Sequence, residues 1–286
     1  MIQSMTGFGK ASLQLPTKKI TVEIKSLNSK GLDVNTRMPS LYREMELGLR
    51  NLLSQRLERG KVDFSLFIEI TGEETTSKIN GPIVKGYIAQ MLTIIPEADP
   101  TELMKMAVRM PDALKTERDD LDETEWKHIQ SVIDEALQNM INFRTDEGLA
   151  LEREFTQRIS NIRNLMHEAI SFDSARIETV KTRLRTALDE LEVAVDPNRF
   201  EQELIYYLEK YDITEERVRL DNHLNYFMET LAGSEANGRK LGFITQEMGR
   251  EINTMGSKSN HSEMQKCVVM MKDELEKIKE QVLNVL

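Results

Sequence analysis

A chain of 286 residues is long enough for one large domain or two ordinary ones, and for a real hydrophobic core. Its 40% apolar and 30% charged residues favour long solvent-facing helices over a thick globule. The net charge of −10 argues against an overall basic nucleic-acid footprint, and the single cysteine excludes an internal disulfide. No stretch approaches the roughly 20 apolar residues of a membrane span. Met1-Ile2-Gln3-Ser4 has neither the charged lead nor the apolar run of a secretory signal, so a soluble, cytoplasmic protein is expected. An acidic chain can still carry a basic face, and its acidic clusters can hold Mg²⁺ or Mn²⁺.

The first seventy residues read as strands around one helix. Ile20, Val22 and Ile24 alternate with Thr21, Glu23 and Lys25; Leu32, Val34 and Thr36 keep the same period. Val62, Phe64, Leu66, Ile68 and Ile70 repeat it against Asp63, Ser65 and Glu69, as strands with one buried face do. Between them Pro39-Ser40 opens a helix and Gly60 closes it, with Leu41, Met45, Leu49, Leu52, Leu53 and Leu57 on one face. The order strand–strand–strand–helix–strand predicts an α+β domain with a small sheet.

Residues 72–82 form a polar break, and beyond about residue 80 the pattern predicts no strand. Trp126, Ile129, Ile133, Ala136, Met140 and Phe143 fit a helix. Phe155, Ile159, Ile162 and Met166, and then Ile177, Val180, Leu184, Ala187 and Leu191, give two apolar stripes of antiparallel or assembly-forming helices that Pro197 ends. Further helices follow over about 200–211, from Asp212 (as cap of a capping-box-like Asp212-Ile213-Thr214-Glu215) to about Leu231, over 239–254 and over 262–285. The loops between them hold Gly233 to Gly238 and Gly256-Ser257-Lys258-Ser259-Asn260. The expected division is an α+β domain over 1–155, long connecting helices over 156–199 and a helical domain over 200–286.

There is no P-loop, G-x-S-x-G or H-E-x-x-H motif, and one cysteine cannot supply zinc spacing. Cys267, within Cys267-Val268-Val269-Met270, reads as core rather than as a nucleophile. The densest polar region is the C-terminal third. Glu247 and Glu251 stand four apart, sharing a helix face at a repulsive cost of a few tenths of a kcal/mol that a cation or Arg250 would offset. Gln246, Arg250 and Asn253 make a neighbouring stripe, and Glu216, Arg219 and His223 share a face of the preceding helix. A helical hairpin would bring the two faces together. The 256–260 segment offers N–H groups, hydroxyls and Lys258 ahead of a helix N-terminus, which suits a phosphate. Paired glutamates are ordinarily a solvated face, such a loop is ordinarily a connector, and Arg239-Lys240 is ordinarily a surface pair.

Several runs carry a resemblance. Ser4-Met5-Thr6-Gly7-Phe8-Gly9, Glu23-Ile24-Lys25-Ser26-Leu27-Asn28-Ser29-Lys30, Arg59-Gly60-Lys61-Val62 and Arg144-Thr145-Asp146-Glu147-Gly148-Leu149 follow one another in the first half. Asp212-Ile213-Thr214-Glu215-Glu216 with Arg219-Leu220 and His223, Gly238-Arg239-Lys240-Leu241, and Gln246-Glu247 through Gly256-Ser257-Lys258-Ser259 follow in the second, closed by Glu280-Gln281-Val282-Leu283-Asn284. In this order they resemble the motifs of the YicC-like family over the whole chain. Asn222 before His223, Gly249 before Arg250-Glu251, and Glu209-Lys210 depart from the family's usual Ser, Asn and Asp-Arg. The resemblance implies a cytoplasmic endoribonuclease that needs a divalent cation, Mn²⁺ or Mg²⁺, and works as a ring-like homo-oligomer, a hexamer.

Pattern and resemblance together lead to one expectation: RNA phosphodiester hydrolysis on a metal held by Glu247 and Glu251, with His223 as third ligand or acid–base group. Arg219, Arg250 and Lys258 would bind phosphates, Arg239 and Lys240 would extend the path, and Asn253 and Ser257 complete the RNA-binding set. Single-stranded or looped RNA is the expected substrate. The alternatives are an RNA-binding oligomeric scaffold or regulator without cleavage, a purely structural assembly, and metal-free attack by the RNA 2′-OH.

Overall fold

The computed structural model describes residues 2–71, 78–115, 123–190, 197–233 and 238–286. Strands β1 (Gly7–Gln14), β2 (Lys18–Leu27), β3 (Leu32–Arg37) and β4 (Gly60–Ile70) form one sheet in the order β1-β2-β4-β3. Pairs β1–β2 and β2–β4 are antiparallel, and β3–β4 is parallel. The alternating residues meet as the period demands: Val22 opposite Leu66 and Ile24 opposite Phe64, all buried. A 3₁₀ turn (Ser40–Met45) and α1 (Glu46–Arg56) fill the stretch read as a single helix, and Leu49 and Leu53 of α1 pack onto the sheet. Gly60 opens β4 at φ 125°, a conformation that residues with a Cβ rarely adopt.

A two-residue ladder, β5 (Lys78–Ile79) with β6 (Leu114–Lys115), corrects the expectation of no strand beyond residue 80. Two residues are too short to show a period. Helices α2 (Gly81–Ile94) and α3 (Pro100–Ala107) lie between these strands around a small cluster of Val84, Ala107 and Ala113. The Gly72–Ser77 segment lies outside the described residues.

The apolar runs around Trp126–Phe143 and Phe155–Met166 belong to one unbroken helix, α4 (Glu123–Ser171), of 49 residues. Its first half covers the sheet with Ile129, Val132, Ile133, Ala136, Leu137 and Met140. Gly9 makes this approach close, because a Cβ there would run into the Ala136 carbonyl oxygen. The second half of α4 enters another core, with α7 (Thr214–Ala232), α8 (Gly238–Lys258) and α9 (Ser262–Val282). Phe155, Ile159, Ile162 and Met166 are therefore covered within the chain, and this stripe needs no second copy. Between α4 and α7 in the chain come α5 (Asp173–Glu190) and α6 (Pro197–Lys210), with Pro197 as the first residue of α6, where a missing N–H costs nothing. Leu191 lies outside the described residues.

Two polar devices tie the parts together. Arg144 of α4, almost fully buried, donates from one guanidinium nitrogen to the Met5 and Arg59 carbonyl oxygens and to Ser26 Oγ, at 3.3, 3.1 and 2.6 Å. Beside it Ser4 bridges Val285, Met5 N donates to the Asn284 carbonyl at 2.8 Å, and Leu286 N to that of Gln3 at 2.9 Å. The two ends of the chain thus close on one another against α4. Arg176 of α5, also buried, pairs with Asp173 at 2.6 Å and caps two helix ends by donating to the carbonyls of Tyr211 and Lys258. Among the described residues no helix is long and apolar enough to cross a membrane.

Candidate nucleic-acid interface

Helices α7 and α8 run antiparallel against each other, as the expected hairpin. At one end Lys258 Nζ donates to the Asp212 carbonyl oxygen and to Glu216 Oε1, both at 2.8 Å. Towards the other, Lys240 Nζ lies 4.8 Å from the centroid of the Tyr226 ring. Along the two helices, His223 of α7 and Glu247 and Glu251 of α8 lie between these fixed points.

Helical geometry then sorts the candidates into two faces. Lys240, Glu247, Glu251 and Lys258 follow one another at spacings of seven, four and seven on α8, so they share the stripe whose ends touch α7. Glu216, Arg219, His223 and Tyr226, at spacings of three, four and three, form the answering stripe of α7. Arg239, Arg250, Asn253 and Ser257 fall on the outer, exposed face of α8, and the structure does not bring them into the seam.

Charge and burial differ sharply along the seam. Glu247 is half-buried and pairs with the exposed Arg250 at 2.9 Å. Glu251 is only 8% exposed and makes no ion pair or side-chain hydrogen bond among the described residues, but its carboxylate oxygens are not among the buried unpartnered atoms and so still reach solvent. Glu216 is equally hidden; Lys258 satisfies Oε1, while Oε2 is buried without a partner. Buried carboxylate oxygens are normally paired or bound to a cation, and in this seam Glu216 Oε2 is the one left buried without a partner among the described residues. Arg219 is taken up by Glu215 on its own helix.

Among the described residues no three His, Cys, Asp or Glu side chains converge into a metal-holding group. His223, Glu247 and Glu251 thus form no closed three-ligand cage within one chain. The donor set fits an open site, since Mg²⁺ commonly takes one or two carboxylates and completes its shell with water and substrate phosphates.

One sequence expectation needs correction, and one departure from the family pattern can be placed. Gly256, Ser257 and Lys258 form the last turn of α8 rather than a loop, and Ser257 Oγ bonds back to the Thr254 carbonyl at 2.8 Å. Their N–H groups serve the helix and no phosphate cradle exists there. Gly249 does not border the seam: a Cβ there would meet Leu275 and Lys279 of α9, at 3.4 and 3.6 Å. Cys267 is core as expected, and burial, with Glu168 nearby, pushes its thiol up, away from the reactive thiolate. Asp212 does accept the Thr214 N–H at 3.1 Å, and Ile213 occupies the cap position.

The sequence reading left out Tyr226 and Phe243, which are exposed beside Lys240, and Arg176, which holds the base of the seam. Aromatic residues interleaved with Lys and Arg were a usable signal for the first two. No motif marks a lone buried arginine.

Comparison with known proteins agrees with the opening resemblance. Residues 2–153 match the family model described as endoribonuclease YicC-like, N-terminal region, and residues 169–286 match endoribonuclease YicC-like, C-terminal. A protein of Clostridioides difficile (strain 630), named probable endoribonuclease YicC, is 32% identical over the whole of both chains. A Haemophilus influenzae protein (strain ATCC 51907 / DSM 11121 / KW20 / Rd) of the same name is 30% identical over 99% of each. With both halves matched in order and the full length shared, this chain belongs to the YicC-like endoribonuclease family.

Proposed function

We propose that the protein is a cytoplasmic, divalent-metal-dependent endoribonuclease that cleaves phosphodiester bonds of single-stranded or looped RNA laid along the α7–α8 seam. The observation that supports this reading is Glu251, a residue only 8% exposed that makes no ion pair among the described residues, on the α8 stripe that packs towards α7, the helix that carries His223, in a chain whose relatives are named as probable endoribonucleases. Glu251 and Glu247 would hold Mn²⁺ or Mg²⁺, with His223 as a third ligand or as the proton-transferring group. A bound divalent ion supplies activated water and neutralises phosphate charge. Lys240 and Arg219 would bind phosphates at the seam itself, Lys258 at its base, and Arg239, Arg250, Asn253 and Ser257 along the outer face of α8.

The test is cleavage of end-labelled RNA by highly purified protein with Mn²⁺ or Mg²⁺, and again with excess EDTA. Cutting that needs the ion supports the proposal. Binding without cutting would make the protein an RNA-binding scaffold, and cutting in EDTA that leaves a cyclic phosphate would mean attack by the 2′-OH.

Binding is expected to weaken as salt rises, with log affinity falling by about 0.7 per neutralised phosphate for each unit of log salt. Arg239→Ala with Lys240→Ala flattens that slope in a filter-binding titration. An unchanged slope would remove both residues from the path.

The proposal includes a ring-like homo-oligomer, a hexamer. Its support is apolar surface that the chain leaves open, such as Ile205 and Tyr206 on α6 and Ile94 and Ile95 at the end of α2. Light scattering at micromolar concentration is expected to give a multiple of the chain mass of 33.0 kDa, and a monomer would rule assembly out.

A further inference from the structure

We infer that the lobe of residues 78–115 joins two copies of this chain, packing against the same lobe of the second copy. This rests on the reading of the protein as a homo-oligomer and names a surface that makes it one. The lobe consists of β5, α2, α3 and β6. Its buried cluster of Val84, Ala107 and Ala113 is separate from the sheet core and from the helical core, and α2 and α3 pack chiefly on each other.

Fewer than forty residues with so few buried apolar side chains fall below the size at which a fold holds without further support. The deficit shows on the surface. The lobe is about an eighth of the chain, yet it holds eight of the 22 large apolar side chains left exposed among the described residues. Ile79 and Leu114 are cross-strand partners, so both side chains leave the ladder on one face, and each is more than half exposed. Ile94 and Ile95, at the end of α2, are 79% and 60% exposed. Met104 and Met106 of α3 add flexible thioether side chains that adapt to an apolar partner. Apolar surface concentrated in this way marks a contact with another molecule.

A lobe that cannot stand alone needs cover for as long as the protein is folded. A second copy supplies that cover permanently, and a transient partner does not. The charge agrees. Residues 78–115 carry five cations and four carboxylates, a net +1 on a chain of net charge −10, so the rest of the chain carries −11. Two such bodies repel each other, while two lobes of nearly balanced charge meet without that cost. The isologous contact, with the same patch on both sides, is the commonest way to close a pair. A folded lobe of this mass has about 2,800 Å² of surface, and a standard contact takes about 800 Å² from each partner, so the lobe is large enough to make one.

The test is light scattering of the full chain at micromolar concentration. Ile94→Asp with Leu114→Asp puts unpaired carboxylates into the contact from both copies, so the assembly mass falls by about two-fold or more. Ile94→Met with Leu114→Met keeps the wild-type mass, and circular dichroism checks that both pairs retain their helices. A second arm needs no disruptive change. Cys267 is the chain's only cysteine and is buried, so Ile94→Cys and Leu114→Cys, made singly, each add one accessible thiol. A long-spacer bismaleimide then links two copies into a species of twice 33.0 kDa on a denaturing gel. An unchanged mass in a folded aspartate pair, or no link from either cysteine, overturns the inference; if the aspartate pair loses its helices, the cysteine links alone decide. A wild-type assembly with neither effect leaves the homo-oligomer standing on another surface. A wild-type monomer removes the homo-oligomer and the lobe contact together.

Discussion

Glu251→Gln is expected to reduce metal-dependent RNA cleavage by at least about a hundred-fold while leaving assembly and thermal stability near wild type, since loss of metal-borne stabilisation of several kcal/mol weighs on the rate. The substitution keeps the volume of the side chain and removes only its charge. That charge makes no ion pair among the described residues, so the folded chain loses none with it. Relief of its repulsion with Glu247 adds a small gain. Cleavage assays and a melting curve on the same preparation check both halves of the expectation. Loss of folding together with activity would give Glu251 a structural role. Full activity in the Glu247→Gln, Glu251→Gln double variant would remove the metal assignment and shift attention to Glu216, whose Oε2 is buried without a partner.

The largest stability effect is expected at Arg144. Arg144→Leu strands the Arg59 carbonyl oxygen and takes a donor from the Met5 carbonyl and from Ser26 Oγ, which keep a 2.8 Å bond to each other, so the cost is about 1–3 kcal/mol. A loss of about 2 kcal/mol lowers Tm by roughly 5 °C in a chain of this size. Arg144→Lys recovers part of the loss, because all three acceptors are met from one nitrogen and an ammonium also carries three donors, though on a shorter stem. Gly31→Ala, in open space, serves as the neutral control. A melting curve for Arg144→Leu within 2 °C of wild type, a margin near the shift produced by about 1 kcal/mol, would show that these acceptors find other donors.

The sheet was legible in the sequence because its strands bury one face: Ile20, Val22 and Ile24 could alternate with polar residues only in that geometry. The β5–β6 ladder was not, since two residues carry no period. The length of α4 was hidden for a different reason. Its apolar stripe turns from the sheet core at Met140 to the helical core at Leu151, passing the buried Arg144 and Gly148, so the pattern read as two helices. At the candidate site, spacing placed Glu247 and Glu251 on one face of α8. It could not show that Glu247 would be taken by Arg250 while Glu251 turned inward. Nor could it show that Lys258 would serve Glu216 and the Asp212 carbonyl from within α8. Such differences depend on which helix lies opposite, and that is a tertiary fact.

The most direct measurement of the central claim is a crystal soaked in Mn²⁺ and read by anomalous scattering. The account predicts an anomalous peak in the α7–α8 seam, in contact with the Glu251 carboxylate and lost in Glu251→Gln crystals. A peak elsewhere on the chain, or one that persists at full height in Glu251→Gln, would contradict it.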